Sequence, residues 1–392
     1  MSGWVRPIAS GWIVRREVPG PDVDEFAEPE RVVEALARPG AADRTLLAAQ
    51  HPHRTPAARA AGLDLLSALP KARNVLAQLR HVAYRPVSQV VAPYRVDGPD
   101  GAAVGLLCMV DPAAVDADGI THVRHSEQVY PDVVAERAQV LSGLGCATSA
   151  AMLVPVAGAD RLTATLLQAT VAAGDAAVST VDSSGRRHRV WLLGPGVVQD
   201  AVLSVASANP LMVADGNHRV AAAAAAGLDG LLALVTAGPG LRIGAFHRVL
   251  VGTGLDADDL GSAWRRIGLE VREAPDAGPP TRPGSVVVQC PGRTLFVELP
   301  QPDPDDPVPR IDHAVVENLL LDKALGIDSE GPRVRPLPEG KLPGADAEAV
   351  IRIAPVPLDA VQAVHAAGMR MPRKSTYFTP KPRSGLLLAD LA

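Results

Sequence analysis

Apolar and polar positions along the chain change their period several times. Residues 28–82 read as helical with Pro and Gly punctuation. A helix from Glu30 stops at Pro39-Gly40, a second is predicted over 57–69, and a third over 70–81, with Pro70 suited to a first helical position. The pattern then shifts to short apolar runs. Residues 87–96 and 102–110 predict two strands, joined as a hairpin by the five-residue connection Asp97-Gly98-Pro99-Asp100-Gly101.

Pro131 and Asp132 open a predicted helix over 131–145, which glycines close. Strands are predicted at 151–156, 187–194 and 231–237, with a helix over 197–208. Strand and helix alternate through 150–237, which argues for an α/β core. From 245 the pattern changes. Strands are predicted at 245–252, 285–290, 294–299, 346–357 and 374–388, and helices at 256–268, 312–326 and 358–368. The stretch 300–310 is rich in Pro and Asp and reads as a loop or linker. The expected organisation is an N-terminal α/β region over 1–145, largely helical at its start, a core over 146–240 and a C-terminal α+β region over 241–392. No internal repeat is visible.

The 392 residues are 47% hydrophobic and 21% charged, which permits a sizeable core and disfavours global disorder. A net charge of −5 with pI near 6.1 argues against general binding to nucleic acid or a membrane surface. Cys108, Cys146 and Cys290 lie far apart and form no C-x-x-C pair; buried free thiols in a reducing cytosol are the expectation. The first residues are too interrupted for a signal peptide, and no apolar run has the length to span a bilayer. A cytoplasmic protein is expected.

The densest candidate chemistry lies in 211-LMVADGNHRVAAAAAAGLDG-230. An Asp-Gly turn leaves a strand and a helix begins near Asn217 or His218. The first turn of a helix leaves amides without intrahelical partners and carries positive potential. Gly216 removes a side chain where a ligand would approach the backbone, and His218 and Arg219 add donors. This makes a small anion site, and phosphate is the common biological anion of that size. Asp215 fits three roles: a helix cap, a metal ligand, or the acceptor of a hydroxyl proton. On composition alone the bland alternative, a capped helix with a solvated Arg219, is the commoner arrangement.

The stretch VADGNHRVAAA resembles the signature I-A-D-G-H-H-R-Y-x-A-A of domain-of-unknown-function family 1015. Tyr94-Arg95, the His125 segment, 245-AFHRVLVG-252, 312-DHAVVENLLLDKALGI-327 and 371-MPRKSTYFTPKPRSGL-386 match further family segments in order. The resemblance runs over nearly the whole chain. It implies kinship with the ParB/sulfiredoxin superfamily, in which such a turn holds nucleotide phosphates and one branch phosphorylates free serine. It thereby implies ATP or ADP and Mg2+ as cofactors, and a small hydroxyl compound as substrate. Two departures stand out. The first histidine of the family's pair is Asn217, and the family's His-Glu pair reads His125-Ser126-Glu127, with the carboxylate displaced by one residue.

The tail 370-RMPRKSTYFTPKPR-383 interleaves cations with Ser375, Thr376 and Tyr377. By spacing alone it is a solvated strand edge; with the resemblance it becomes a phosphate clamp. Glu136 and Arg137 read as a surface ion pair, and His247 as a core histidine. No Walker loop, G-x-S-x-G, H-E-x-x-H or dinucleotide fingerprint is present. The resulting expectation is an α/β protein with a ParB/sulfiredoxin-like core. It would be a nucleotide-dependent phosphotransferase acting on a small hydroxyl compound such as a free hydroxy amino acid. Gly216, Asn217, His218, Arg219, Lys374, Ser375, Thr376 and Lys381 would bind the nucleotide, and Asp215, Glu127 and His218 would serve the chemistry. The alternatives are a non-catalytic nucleotide-binding switch and a nucleic-acid-associated hydrolase, the latter disfavoured by acidity and scarce aromatics.

Overall fold

The computed structural model describes residues 3–26, 29–238, 240–301 and 309–391. Residues 302–308 of the predicted linker lie outside the described residues. The chain is a mixed α/β protein that divides into two compact units. One comprises Met1–His125, Val129–Arg242 and Thr379–Ala392; the other comprises Ser126–Gln128 and Ile243–Phe378.

The first unit is built on a nine-stranded sheet. Its strands are β1 (Val5–Arg6), β2 (Ala92–Gly98), β3 (Gly101–Val110), β4 (Val123–His125), β5 (Ala151–Pro155), β6 (Val178–Val181), β7 (Arg187–Val190), β8 (Leu211–Asp215) and β9 (Leu231–Ala237). Their spatial order is β4-β8-β5-β9-β3-β2-β7-β6, with β1 alongside β3. Four helices matter for the site: α1 (Pro131–Leu144), α2 (Ala159–Ala173), α3 (Val197–Ala206) and α4 (Asn217–Ala225).

The sequence pattern explains the layers. β9 is buried at every position and β8 at its first four, as continuous apolar runs in inner strands should be. Leu106, Cys108 and Val110 of β3 share one core with Leu162 and Leu166 of α2, Val202 of α3 and Val220 of α4. Leu107 and Met109 point the other way, into a core shared with the N-terminal helices and a small four-stranded sheet. That sheet is ordered Tyr84–Val90, Ile8–Val14, Leu387–Asp390, Cys146–Ala147, so the chain's last strand lies beside one of its first.

In the second unit, six antiparallel strands run in the order Val271–Glu273, Arg293–Glu298, Ser285–Cys290, Ala347–Ile353, Phe246–Val251, Val334–Pro338. Trp264, fully buried on the helix Ala257–Arg266, anchors their core and donates from Nε1 to the Leu320 carbonyl at 3.1 Å.

Several expectations change. The helix predicted over 57–69 ends at Ala60, because Gly62 takes a φ of +64°. The run 87–96 is two strands: Tyr84–Val90 pairs with Ile8–Val14, whereas β2 pairs with β3. The five-residue connection shrinks to Pro99-Asp100, since Gly98 pairs with Gly101. β4, α2 and β6 were not foreseen. Among the described residues of the nine-stranded sheet, the parallel pairs are β4–β8 and β5–β9, and the other pairings are antiparallel. The helix over 312–326 forms, but Val316–Lys323 is π-helical. The strand predicted over 374–388 survives only as Tyr377–Thr379 and Leu387–Asp390. Lys374 has a φ of +54°, and Pro380 and Pro382 interrupt the rest. Among the described residues, no helix is long and apolar enough to cross a membrane.

Candidate functional site

β8 delivers Asp215 to the mouth of α4, past an irregularity in its pairing with β5. Gly216 then takes φ +92°, ψ +30°, a left-handed conformation that glycine tolerates best. A Cβ at this position would lie 2.8 Å from Nε of Arg219. Glycine is therefore required twice, by the turn and by the guanidinium folded over it. Gly216, the residue at the N-cap, offers no side chain to α4, and Arg219 is engaged rather than solvated.

Asp215 instead sits between two cations. Its Oδ2 accepts from Nη2 of Arg219 at 2.5 Å, and its Oδ1 from Nζ of Lys381 at 2.7 Å. Arg219 donates from Nη1 to Ser149 Oγ and to the Ala150 carbonyl, both at 2.9 Å. The guanidinium thus ties the α4 mouth to the segment entering β5. Lys381 Nζ also lies 4.0 Å from Asp24 Oδ2. These groups are part-buried, so their charges are screened less than at an open surface.

The next two helix residues meet His125 and Tyr130. Asn217, buried, places Oδ1 3.1 Å from Nδ1 of His125. His218 accepts the Tyr130 amide proton on Nε2 at 3.0 Å, and the two rings stack at 5.7 Å. That bond assigns the proton of a neutral His218 to Nδ1. α1, which starts after Tyr130, packs along α4. It brings Arg137 near Arg219; desolvation and the Arg219 charge both lower the Arg137 pKa. Glu136 and Arg137 make no ion pair among the described residues, as adjacent helix positions point apart.

The remaining nominated residues belong to the second unit. Lys374, Ser375 and Thr376 form a nest of backbone amides with Lys374 in the left-handed region. Its occupant is Glu127. Oε2 accepts from the Lys374 amide at 3.0 Å, and Oε1 from the amides of Ser375 and Thr376 at 3.2 and 3.1 Å and from Thr376 Oγ1 at 2.8 Å. Ser375 Oγ donates to the Pro372 carbonyl at 2.8 Å, and the Lys374 ammonium lies over the Phe246 ring at 5.7 Å. Arg248 is buried against Glu317 with an Nη2–Oε1 separation of 2.6 Å, and it donates to the carbonyls of Arg373 and Lys374. His247 is a core histidine: its Nδ1 accepts the Ile353 amide proton, and burial lowers its pKa to about 4.

The basic tail is not a solvated edge. Lys381 pairs with Asp215, Arg383 with Asp22, and Arg373 with Glu330. The sequence holds a signal for part of this: Asp22-x-Asp24 near the N-terminus matches the spacing of Lys381-x-Arg383. Ser149 and Tyr130 carry no such signal, since only the fold brings them to α4. Among the described residues, no group of three or more His, Cys, Asp or Glu has the arrangement of a metal site.

A family model described as "Protein of unknown function (DUF1015)" matches residues 72–314. No curated protein matches the sequence. Among solved structures, the chain is similar to a mutant free serine kinase in complex with ADP, at 12% identity and TM-score 0.40, over 71% of this chain and 92% of that one. It is similar to a conserved hypothetical protein from Pyrococcus furiosus at 12% identity and TM-score 0.39, over 73% and 94% of the two chains. It is also similar to SbnI with a C-terminal truncation from Staphylococcus aureus, at 11% identity and TM-score 0.38, over 71% and 87%.

Proposed function

The chain belongs to the DUF1015 family of proteins of unknown function, and from that premise we propose that it is a nucleotide-dependent phosphotransferase acting on a small hydroxyl compound such as a free hydroxy amino acid. The observation that carries this reading is the α4 mouth: a helix start with a left-handed glycine at its N-cap, and a carboxylate held between Arg219 and Lys381. The ParB/sulfiredoxin-like character of the 146–240 core is part of the same proposal.

The residues present fit a nucleotide phosphate. The first-turn amides of α4 and its positive end favour an anion, and the Arg219 guanidinium folded over Gly216 brings a fixed positive charge to the turn. Lys381, Arg219 and Arg137 add positive charge on the same unit. Magnesium fits through Asp215, since this ion takes one or two carboxylates and completes its shell with phosphate oxygens and water. Bound magnesium would supply neutralisation of phosphate charge.

The chain's own residues do the rest. Gly216, Asn217, His218 and Arg219 hold the phosphates at the backbone. Asp215 orients the acceptor hydroxyl and accepts its proton. Lys381 gives up its bond to Asp215 and turns to phosphate oxygens as charge spreads over them. His218, held as the Nδ1–H tautomer by Tyr130, acts as a donor. We assign Glu127 to holding the Lys374–Thr376 nest, because both of its oxygens are already engaged as acceptors there.

The test is to incubate the protein with ATP or ADP, magnesium and a panel of hydroxy amino acids, and to follow phosphorus NMR. A new phosphomonoester resonance that depends on Asp215 supports the reading; unchanged nucleotide with every acceptor sinks it. The second reading, a nucleotide-binding switch, is favoured by the bonds of Asn217 and His218 to His125 and Tyr130. An anion arriving at α4 would bear directly on that segment. Binding without turnover would select this reading.

A further inference from the structure

A buried chain of hydrogen bonds runs through the first unit outside the α4 mouth. Tyr94, on β2, and His188, on β7, are each 1% exposed. Tyr94 Oη lies 2.7 Å from His188 Nδ1, and His188 Nε2 lies 3.1 Å from Asp182 Oδ2. The other Asp182 oxygen accepts the amides of Ser184 and Arg186, both at 2.9 Å. The Arg383 amide donates to Tyr94 Oη at 3.4 Å.

A neutral His188 sets one order of donors and acceptors in this chain. Asp182 accepts, so His188 donates from Nε2. Burial lowers the His188 pKa, and in the neutral ring Nδ1 accepts and Tyr94 donates to it. The lone pairs of Tyr94 Oη then face a donor, and that donor is the Arg383 amide. Arg383 is held on its other sides as well: its Nη1 lies 2.8 Å from Asp22 Oδ2, and the same Asp22 oxygen accepts the Ser384 amide at 2.8 Å. Two residues before Arg383 stands Lys381, with Nζ on Asp215.

We infer that Tyr94, His188 and Asp182 are positioning residues for Lys381, fixing the 381–384 segment so that the ammonium meets Asp215; the inference rests on the reading of Asp215 and Lys381 as the phosphate-handling pair. The ion pairs by themselves would leave the backbone of this segment free to slide, because a long lysine or arginine side chain reaches its partner from several backbone positions. The Ser384 amide on Asp22 holds the far end of the segment, and the Arg383 amide on the buried Tyr94 hydroxyl holds the end nearer Lys381. Tyr94 touches no reacting group, since its hydroxyl donates to His188 and accepts from Arg383.

The test is trace acetylation of the intact protein with acetic anhydride, read peptide by peptide by mass spectrometry. Tyr94→Phe removes the hydroxyl and keeps the ring. It should raise the labelling rate of Lys381 by about tenfold relative to Lys71 and Lys323, the shift expected from losing one hydrogen bond. His188→Asn cuts the chain at its middle and should give the same selective rise, which keeps the test available if one variant folds poorly. A Lys381 rate within about twofold of the parent's overturns the proposal. So does a rise shared by Lys71 and Lys323, which would mean general loosening. Labelling needs no nucleotide, so it reports even if phosphoryl transfer is never observed. Where transfer is observed, Tyr94→Phe should lower kcat and leave the nucleotide KM unchanged; the reverse split also overturns the proposal.

Discussion

Lys381 Nζ and Asp215 Oδ1 lie 2.7 Å apart although 166 positions separate them in the chain. The same carboxylate takes Arg219 on its other oxygen at 2.5 Å. Replacing Asp215 with Asn should keep the volume and one acceptor but leave two cations without their counter-charge. Nucleotide binding is expected to persist in calorimetry, with phosphoryl transfer down about 100-fold or more. Full turnover in Asp215→Asn would remove this carboxylate from the chemistry.

Gly216→Ala should be costly for two reasons, its φ of +92° and the Arg219 guanidinium in the space of a Cβ. Left-handed backbone alone costs about 1–2 kcal/mol for a residue with a Cβ, and displacing Arg219 adds to it. Urea denaturation should show a loss of about 2 kcal/mol or more. A loss below about 0.5 kcal/mol would mean that the turn relaxes easily and that glycine is there for another reason.

Glu127→Ala should empty the nest of Lys374–Thr376 while Glu127→Gln keeps an acceptor oxygen in it. Hydrogen exchange at the amides of residues 374–376 should accelerate about tenfold or more in the alanine variant, and less in the glutamine variant. Equal protection in the parent and both variants would show that the nest holds its shape without the carboxylate.

The acid side of the stability profile should be set partly by His247. Burial lowers its pKa from 6.5 to about 4. The unfolded chain therefore binds this proton more readily than the folded one between those values, and stability falls as pH drops from about 6.5 to about 4. The slope from one such group approaches about 1.4 kcal/mol per pH unit at most. His247→Asn keeps a side-chain acceptor for the Ile353 amide and cannot titrate, so its denaturation profile should be flatter over that window. An unchanged slope would assign the acid sensitivity elsewhere.

What the sequence revealed follows the range of the interactions. The strand end at Asp215 and the helix start at Asn217 were legible because an apolar run, a glycine and an alanine tract decide them within a few residues. The resemblance puts Lys374 and Lys381 together at the Asp215–Arg219 turn; the structure pairs Lys381 with Asp215 and sets the Lys374 ammonium over Phe246. The Ser149 hydroxyl on Arg219 and the Tyr130 amide on His218 were not legible, since strand order alone brings them to α4. The tail misled for a physical reason: cations interleaved with small residues look solvated until their carboxylates, Asp22 and Glu330, arrive from far along the chain. Lys374 at φ +54° likewise breaks what polarity alternation reads as one strand.

The strand Leu387–Asp390 pairs with Ile8–Val14, and this pairing bears on how the protein is made. During synthesis the first two hundred residues can collapse early, but one edge of Ile8–Val14 waits for nearly the whole remaining chain to emerge. Asp215 and Arg219 are translated long before Lys381. A chain cut before Lys381 thus carries the Asp215–Arg219 turn without its lysine partner. The pairing of Asp215 with Lys381 is in this way a long-range event, and such late closure favours slow folding with an edge exposed to wrong partners in the meantime.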